Sequence, residues 1–148
     1  MIDKFKQRAE KLSLLICNKN IIYGDLVFLQ NENTIFAHNN YIEALHEIAH
    51  WIACDPKYRY LNNLGLPNFY VEDIPIYHRM MYEESLAFVI TKLLFDTYFK
   101  DDTNIKNINY VEYVDSLCED LCKDENFNPS VQRKIAISIF DNYNNLTI

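Results

Sequence analysis

Glycine occurs twice in 148 residues and proline four times, so few turns here are built on special backbone geometry. That scarcity disfavours a strand-rich sandwich or barrel and predicts a mostly helical α+β domain. No Gly-rich phosphate loop, internal repeat or low-complexity tract is present. No apolar run is long enough to span a bilayer, and the polar start MIDKFKQ lacks the pattern of a signal peptide. No CxxC pair occurs among Cys17, Cys54, Cys118 and Cys122, so the expectation is reduced, mostly buried thiols in the cytoplasm. Positive charge is also short. A net charge of −7 argues against nonspecific nucleic-acid binding and against an anionic membrane surface. What is abundant is apolar and aromatic side chain, 49% and 14% of residues, enough for a real core in one domain spanning residues 1–148.

The stretch that carries chemistry is HEIAH, His46 to His50, inside NNYIEALHEIAHWIAC. Positions four apart on an α-helix lie almost over one another, so His46 and His50 can converge on one metal ion. Glu47, rotated about 100° around the helix, can reach a metal-bound water or orient a ligand. The helix itself is well supported. Tyr41, Leu45, Ile48 and Ile52 form an apolar stripe, Asn39 or Asn40 can cap its start, and Pro56 ends it near Asp55. Cys54 extends the histidine face, but it lies about 12 Å along the axis from His46, too far to share an ion with it.

Upstream, residues 2–16 read as an amphipathic helix with Phe5, Ala9, Leu12 and Ile16 on one face. Leu26–Gln30 and Thr34–His38, separated by the polar NEN, predict a short β-hairpin that leads into the HEIAH helix. This brings His38 close to the start of that helix, as a candidate catalytic residue. Downstream, residues 55–78 hold three of the four prolines and Gly65, which is expected to occupy a backbone position closed to other residues. This loop is predicted to be an ordered wall beside the metal face, with Arg59 as a candidate cationic contact to substrate.

A second main helix is predicted within residues 77–99, with Ala87, Ile90 and Leu94 on its buried edge. Two histidines need a third protein ligand, and a carboxylate from a neighbouring helix is a common solution. Glu84 and Glu83 both qualify. Glu84 is preferred because it opens an ExxA pattern, in which the small Ala87 one turn on lets two helices approach. His78 reads as structural. Further helices are predicted over Tyr110–Cys122 and, from the Asn128–Pro129 start, through the last segment, with Val131, Ile135 and Ile139 as its buried stripe.

FAHNNYIEALHEIAHWIA resembles the signature segment of the bacterial elongation factor P hydroxylases. That segment has Phe-Ala-His, then Tyr, then Ala, before an HExxH followed directly by Trp. The matching positions are Phe36, Ala37, His38, Tyr41, Ala44, His46, Glu47, His50 and Trp51. KYRYLNNLG and SVQRKIAISIFDNYN resemble later parts of the same family, while the glycine expected soon after the tryptophan is replaced around Cys54 and Asp55. The resemblance implies a non-haem iron oxygenase that uses molecular oxygen to hydroxylate the modified lysine of elongation factor P. His46, His50 and Glu84 would hold Fe(2+), Glu47 would orient a ligand or bound water, and Tyr41 and Arg59 would contact substrate. Residue chemistry alone also fits a zinc metallopeptidase, with Glu47 as general base. It fits as well a catalytically silent binding module that keeps a structural metal.

Overall fold

The computed structural model describes residues 3–24, 29–38, 40–66, 72–102 and 128–148. Among them are four α-helices and two short strands: α1 (Lys4–Cys17), β1 (Asn20–Tyr23), β2 (Thr34–Ala37), α2 (Tyr41–Ala53), α3 (Ile74–Tyr98) and α4 (Pro129–Phe140). The domain is α+β and mostly helical, as the scarcity of turn residues implied. The helix expected over Tyr110–Cys122 lies outside the described residues, together with Cys118 and Cys122.

Each helix begins where a side chain can take up its free N–H groups. Asp3, Asn40, Asp73 and Asn128 accept from the first turns of α1, α2, α3 and α4. Helix α3 starts at Ile74, three residues before the predicted span, because Asp73 caps it and Pro75 fits the first turn, where no N–H bond is lost. α1 ends on Asn18, whose φ of 55° closes the helix in the left-handed conformation.

The hairpin expectation needs correction. The turn is present: Asn31 Oδ1 accepts from Asn33 N and Thr34 N, each at 2.9 Å. The arm before the turn makes one antiparallel bridge, Gln30 to Ile35, and residues 26–28 lie outside the described residues. The strand that pairs with β2 is β1, and it runs parallel, Asn20 opposite Thr34 through Tyr23 opposite Ala37. Parallel pairing of distant segments has no tight-turn signature, so the local pattern favoured the hairpin.

The core lies between α2 and α3, with α1, the strands and α4 around it. Leu45, Ile48 and Ile52 of α2 meet Leu86, Ile90 and Leu94 of α3, all buried. Full burial of each such side chain contributes about 1.5–3 kcal/mol. Ala44, Ala49 and Ala87 are fully buried, and their small side chains let the two helices approach. On α4 the buried positions are Gln132, Ala136 and Phe140, whereas Val131 is exposed and Ile135 and Ile139 are only half-buried. The predicted stripe is thus one residue out of phase. Gln132 faces inward because its Nε2 donates to Ser85 Oγ at 2.8 Å, a polar contact that apolar periodicity does not register.

Tyr41 lies on the core side of α2. Its ring is stacked between Phe5 and Phe99, and its hydroxyl donates to the buried Asp102 carboxylate. Replacing Tyr41 with Phe removes a bond to a charged acceptor and is expected to lower stability by about 1.5–3 kcal/mol. Urea unfolding checks this, and metal affinity should not change.

Candidate metal centre

α2 and α3 pack so that the histidine face of one meets a glutamate of the other. Glu84 Oε1 lies 2.7 Å from His46 Nε2, and Glu84 Oε2 lies 3.0 Å from His50 Nε2. The two Nε2 atoms are 3.2 Å apart. His46, His50 and Glu84 each offer one ligand atom, all within 4.8 Å of one another, and the group could hold a metal ion. Two ligands bonded at right angles to one ion at ~2.1 Å lie about 3.0 Å apart, so these separations fit a shared ion.

The rings are aimed by their other nitrogens. Thr91 Oγ1 donates to Ala87 O at 2.6 Å, which leaves its lone pairs to accept from His46 Nδ1 at 3.2 Å. His50 Nδ1 lies 3.5 Å from Glu83 Oε1, a carboxylate that can only accept when ionised. These acceptors favour a proton on Nδ1 of each ring, so that with an ion bound both Nε2 lone pairs would face it, the arrangement that metal-ligating histidines adopt. Phe88 packs against the His46 ring at 4.7 Å between centroids and shields one side.

The two adjacent glutamates are thus separated by geometry. Glu84 is 29% exposed and reaches both Nε2 atoms, while Glu83 is 5% exposed and faces His50 Nδ1 from behind. Arg79, one turn earlier on α3, pairs with Glu83 Oε2 at 3.6 Å, stacks on the Tyr58 ring and donates to Leu64 O at 2.6 Å. One arginine therefore links the carboxylate behind His50 to the loop that follows α2.

That loop lines the cleft beside the cluster, as expected of it. A cavity of about 90 Å³ is bounded by Gln30, Glu47, His50, Glu83 and Glu84 together with apolar side chains that include Leu64, Leu66 and Met80. Asn63, Leu64 and Gly65 all have positive φ, 50°, 57° and 75°. At Gly65 an added Cβ would stand 3.1 Å from Leu61 Cδ1, so both backbone and space favour glycine there. The loop turns inward to bury Leu64 at 2% exposure.

Glu47 is buried and lines this cleft. Burial raises its carboxyl above the ordinary value, against the pull of His50, His46 and a hydrogen bond from Gln30. His38 stands exposed at the end of β2, before the cap of α2. Its N–H donates to Glu43 Oε2 at 3.0 Å, and the structure does not bring it into the cluster. Arg59 closes the far end of α2. Its Nε and Nη2 donate to Trp51 O and Ile52 O at 2.9 and 3.2 Å, and its guanidinium stacks on the Trp51 ring. It lines a second, wider cavity with Cys54, Tyr58 and Arg79. His78 is exposed near the start of α3. Cys17 and Cys54 are buried, and burial pushes their thiols up to about 12 and about 11, so neither is a ready thiolate. Thr91 and Gln30 escaped the sequence reading. Thr91 had a usable signal, because it stands two turns from Glu84 on one face of α3. Gln30 had none.

Charge is balanced within the cluster. Burial works against a charged His50, but hydrogen bonds to Glu83 and Glu84 outweigh it and hold the ring well above its ordinary 6.5. Burial likewise opposes a charged Glu84, yet hydrogen bonds from His46 and His50 keep it far below its ordinary 4.5. In protein stripped of metal, the raised His50 contributes stability that is full below about pH 6.5 and is lost as pH rises through its folded value. The depressed Glu84 contributes stability present above about pH 4.3 and lost as pH falls through its folded value. A metal ion must displace the His50 proton, so its grip tightens with pH. The rise in melting temperature on adding Zn(2+) is expected to grow between about pH 6 and 8. Thermal scans that give the same rise at both ends would contradict this protonation scheme.

The fold is thus α+β, with an HExxH helix that faces a glutamate of a second helix across a cleft in a group that could hold a metal ion. Comparison with known families narrows the class. Residues 4–79, slightly more than half of the chain, match the family described as elongation factor P hydroxylase, and the chain belongs to that family. The match covers the HExxH helix and ends just before Glu83 and Glu84. Comparison with curated proteins and with solved structures returned no match. No helix among the described residues is long and apolar enough to cross a membrane.

Proposed function

We propose that this chain is a metal-dependent hydroxylase acting in the cytoplasm on the modified lysine side chain of elongation factor P. Its cofactor would be Fe(2+) and its co-substrate molecular oxygen. Family membership supports the substrate and the reaction. The observation that carries the metal reading is the pair of imidazoles tied at Nδ1 to Thr91 and Glu83, with Nε2 directed at Glu84.

His46, His50 and Glu84 would hold the ion. Bound iron would supply the activation of oxygen. The protein's residues do the rest. Thr91 and Glu83 hold the imidazoles in one tautomer and orientation, so the ligand atoms need little rearrangement on binding. Glu47 lines the cleft within reach of a bound water or ligand. Leu64, Leu66 and Met80 give the cleft apolar walls that exclude bulk water from an aliphatic chain. Among the described residues no lysine or arginine lines this cleft, while Glu47, Glu83 and Glu84 do, which suits a substrate that carries amines.

The test is the mass of elongation factor P after incubation with iron-loaded protein and oxygen. A gain of one oxygen atom is expected. Cleavage of the factor, without oxygen gain, would instead favour the zinc peptidase that the same ligand set can serve.

A further inference from the structure

Lys19, between α1 and β1, is 1% exposed, and its Nζ donates to Gln30 Oε1 at 2.8 Å. Gln30 is equally buried, and its Nε2 donates to Glu47 O at 3.1 Å and to Glu47 Oε2 at 3.3 Å. An ammonium can only donate, so it selects the oxygen end of the amide. The NH2 end must then face Glu47. The reverse orientation would set an amide oxygen against a carboxylate, two acceptors in contact.

The main chain of Gln30 is held separately. Its N–H donates to Asn63 Oδ1 at 3.1 Å, and its carbonyl accepts from Asn63 N at 2.8 Å. Asn63 makes both contacts from a left-handed backbone, φ 50°. The position of Gln30 is thus fixed from the loop that lines the cleft, and the sense of its amide is fixed by Lys19. A buried lysine is costly unless compensated, and an apolar side chain of similar volume often serves stability as well or better. A position that breaks such a rule next to a cleft is where a functional reason is expected.

We propose that Gln30 and Lys19 are positioning residues for Glu47. Lys19 sets the direction of the Gln30 amide, and that amide tethers the Glu47 carboxylate along the cleft wall. An untethered carboxylate next to His46 in sequence could swing onto the metal and take an open position. The tether keeps it beside the site, ready to orient a bound water or ligand. The turnover arm of the test rests on the hydroxylase reading above; the contact arm does not.

The experiment compares Gln30→Leu, Lys19→Met and the double variant, with Glu47→Gln as reference. Carboxyl 13C spectra are recorded at one pH on glutamate-labelled, zinc-loaded protein, with the Glu47 signal assigned by its loss in E47Q. That signal is expected to move in Q30L and, through an intact Gln30, in K19M. In the hydroxylation assay kcat should fall about 10–100-fold in Q30L, with KM unchanged and metal affinity held or raised. K19M should fall in the same direction, and the double variant should be no slower than Q30L, because Lys19 acts only through Gln30. A Glu47 signal that stays in place in Q30L or K19M overturns the proposal. So does a double variant whose loss equals the product of the two single losses. If K19M does not fold, Q30L alone decides by the same signal. If unaltered protein inserts no oxygen, the hydroxylase reading fails, and the carbon signal still decides the tether.

Discussion

Replacing Glu84 with Ala is expected to weaken metal binding by about 10²–10³-fold while the fold survives. The magnitude follows from sites in which four protein ligands together contribute roughly 10–16 kcal/mol, so one ligand accounts for a few kcal/mol. Glu84 is the group whose two oxygens reach both Nε2 atoms, at 2.7 and 3.0 Å. Glu83→Gln is the informative contrast. Glu83 meets His50 only at Nδ1, 3.5 Å away, so losing its charge loosens the ring without removing a ligand. Affinity should then drop by only about 10–100-fold. Anaerobic titration with Fe(2+), and titration with Zn(2+), measures both. If E84A kept its affinity and E83Q lost it, the roles of the two glutamates would be reversed.

Glu47→Gln carries the second large effect, and it falls on turnover instead of on metal affinity. Glu47 lines the cleft but is not one of the three groups that converge on the site. Oxygen insertion is expected to fall about 10–100-fold, the range for a residue that orients what the metal binds. Were the protein a peptidase, the same change would remove the general base and cost about 10²–10⁴-fold in cleavage. Metal affinity should hold in either case. Stability should hold or rise, because the substitution removes a buried charge that is only 7% exposed. Loss of all metal from E47Q would contradict both role assignments.

Several features of this site could be read directly from the chain. The i, i+4 spacing of His46 and His50 is a local property of one helix, and Asn40 and Pro56 mark the ends of that helix. The ExxA pattern pointed to Glu84 over Glu83 through the close approach that Ala87 permits, and Ala87 is fully buried in the fold. The left-handed backbone at Gly65 was legible too, since glycine is rare in this sequence and was expected to mark a special position. Tyr41 and Arg59 show where such reading stops. The sequence makes both expected substrate contacts; the fold engages the first in the core against Phe5 and Phe99, and ties the second to the carbonyl end of α2, where it also lines the wider cavity. A tyrosine or arginine near a motif carries no mark of which way its helix or loop will turn it.

By itself, then, the sequence determined the helical class of the protein, the HExxH helix with its stacked imidazoles, and the pool of carboxylates from which a partner could come. These rest on periodicity and capping, which act over a few residues. Only the tertiary structure decided what stands behind each imidazole: Thr91 and Glu83 come from α3, and Gln30 and Lys19 come from separate segments before β2. It also decided that β1 pairs parallel to β2. Such contacts join residues far apart in the chain, and packing selects them among many partners of equal chemistry.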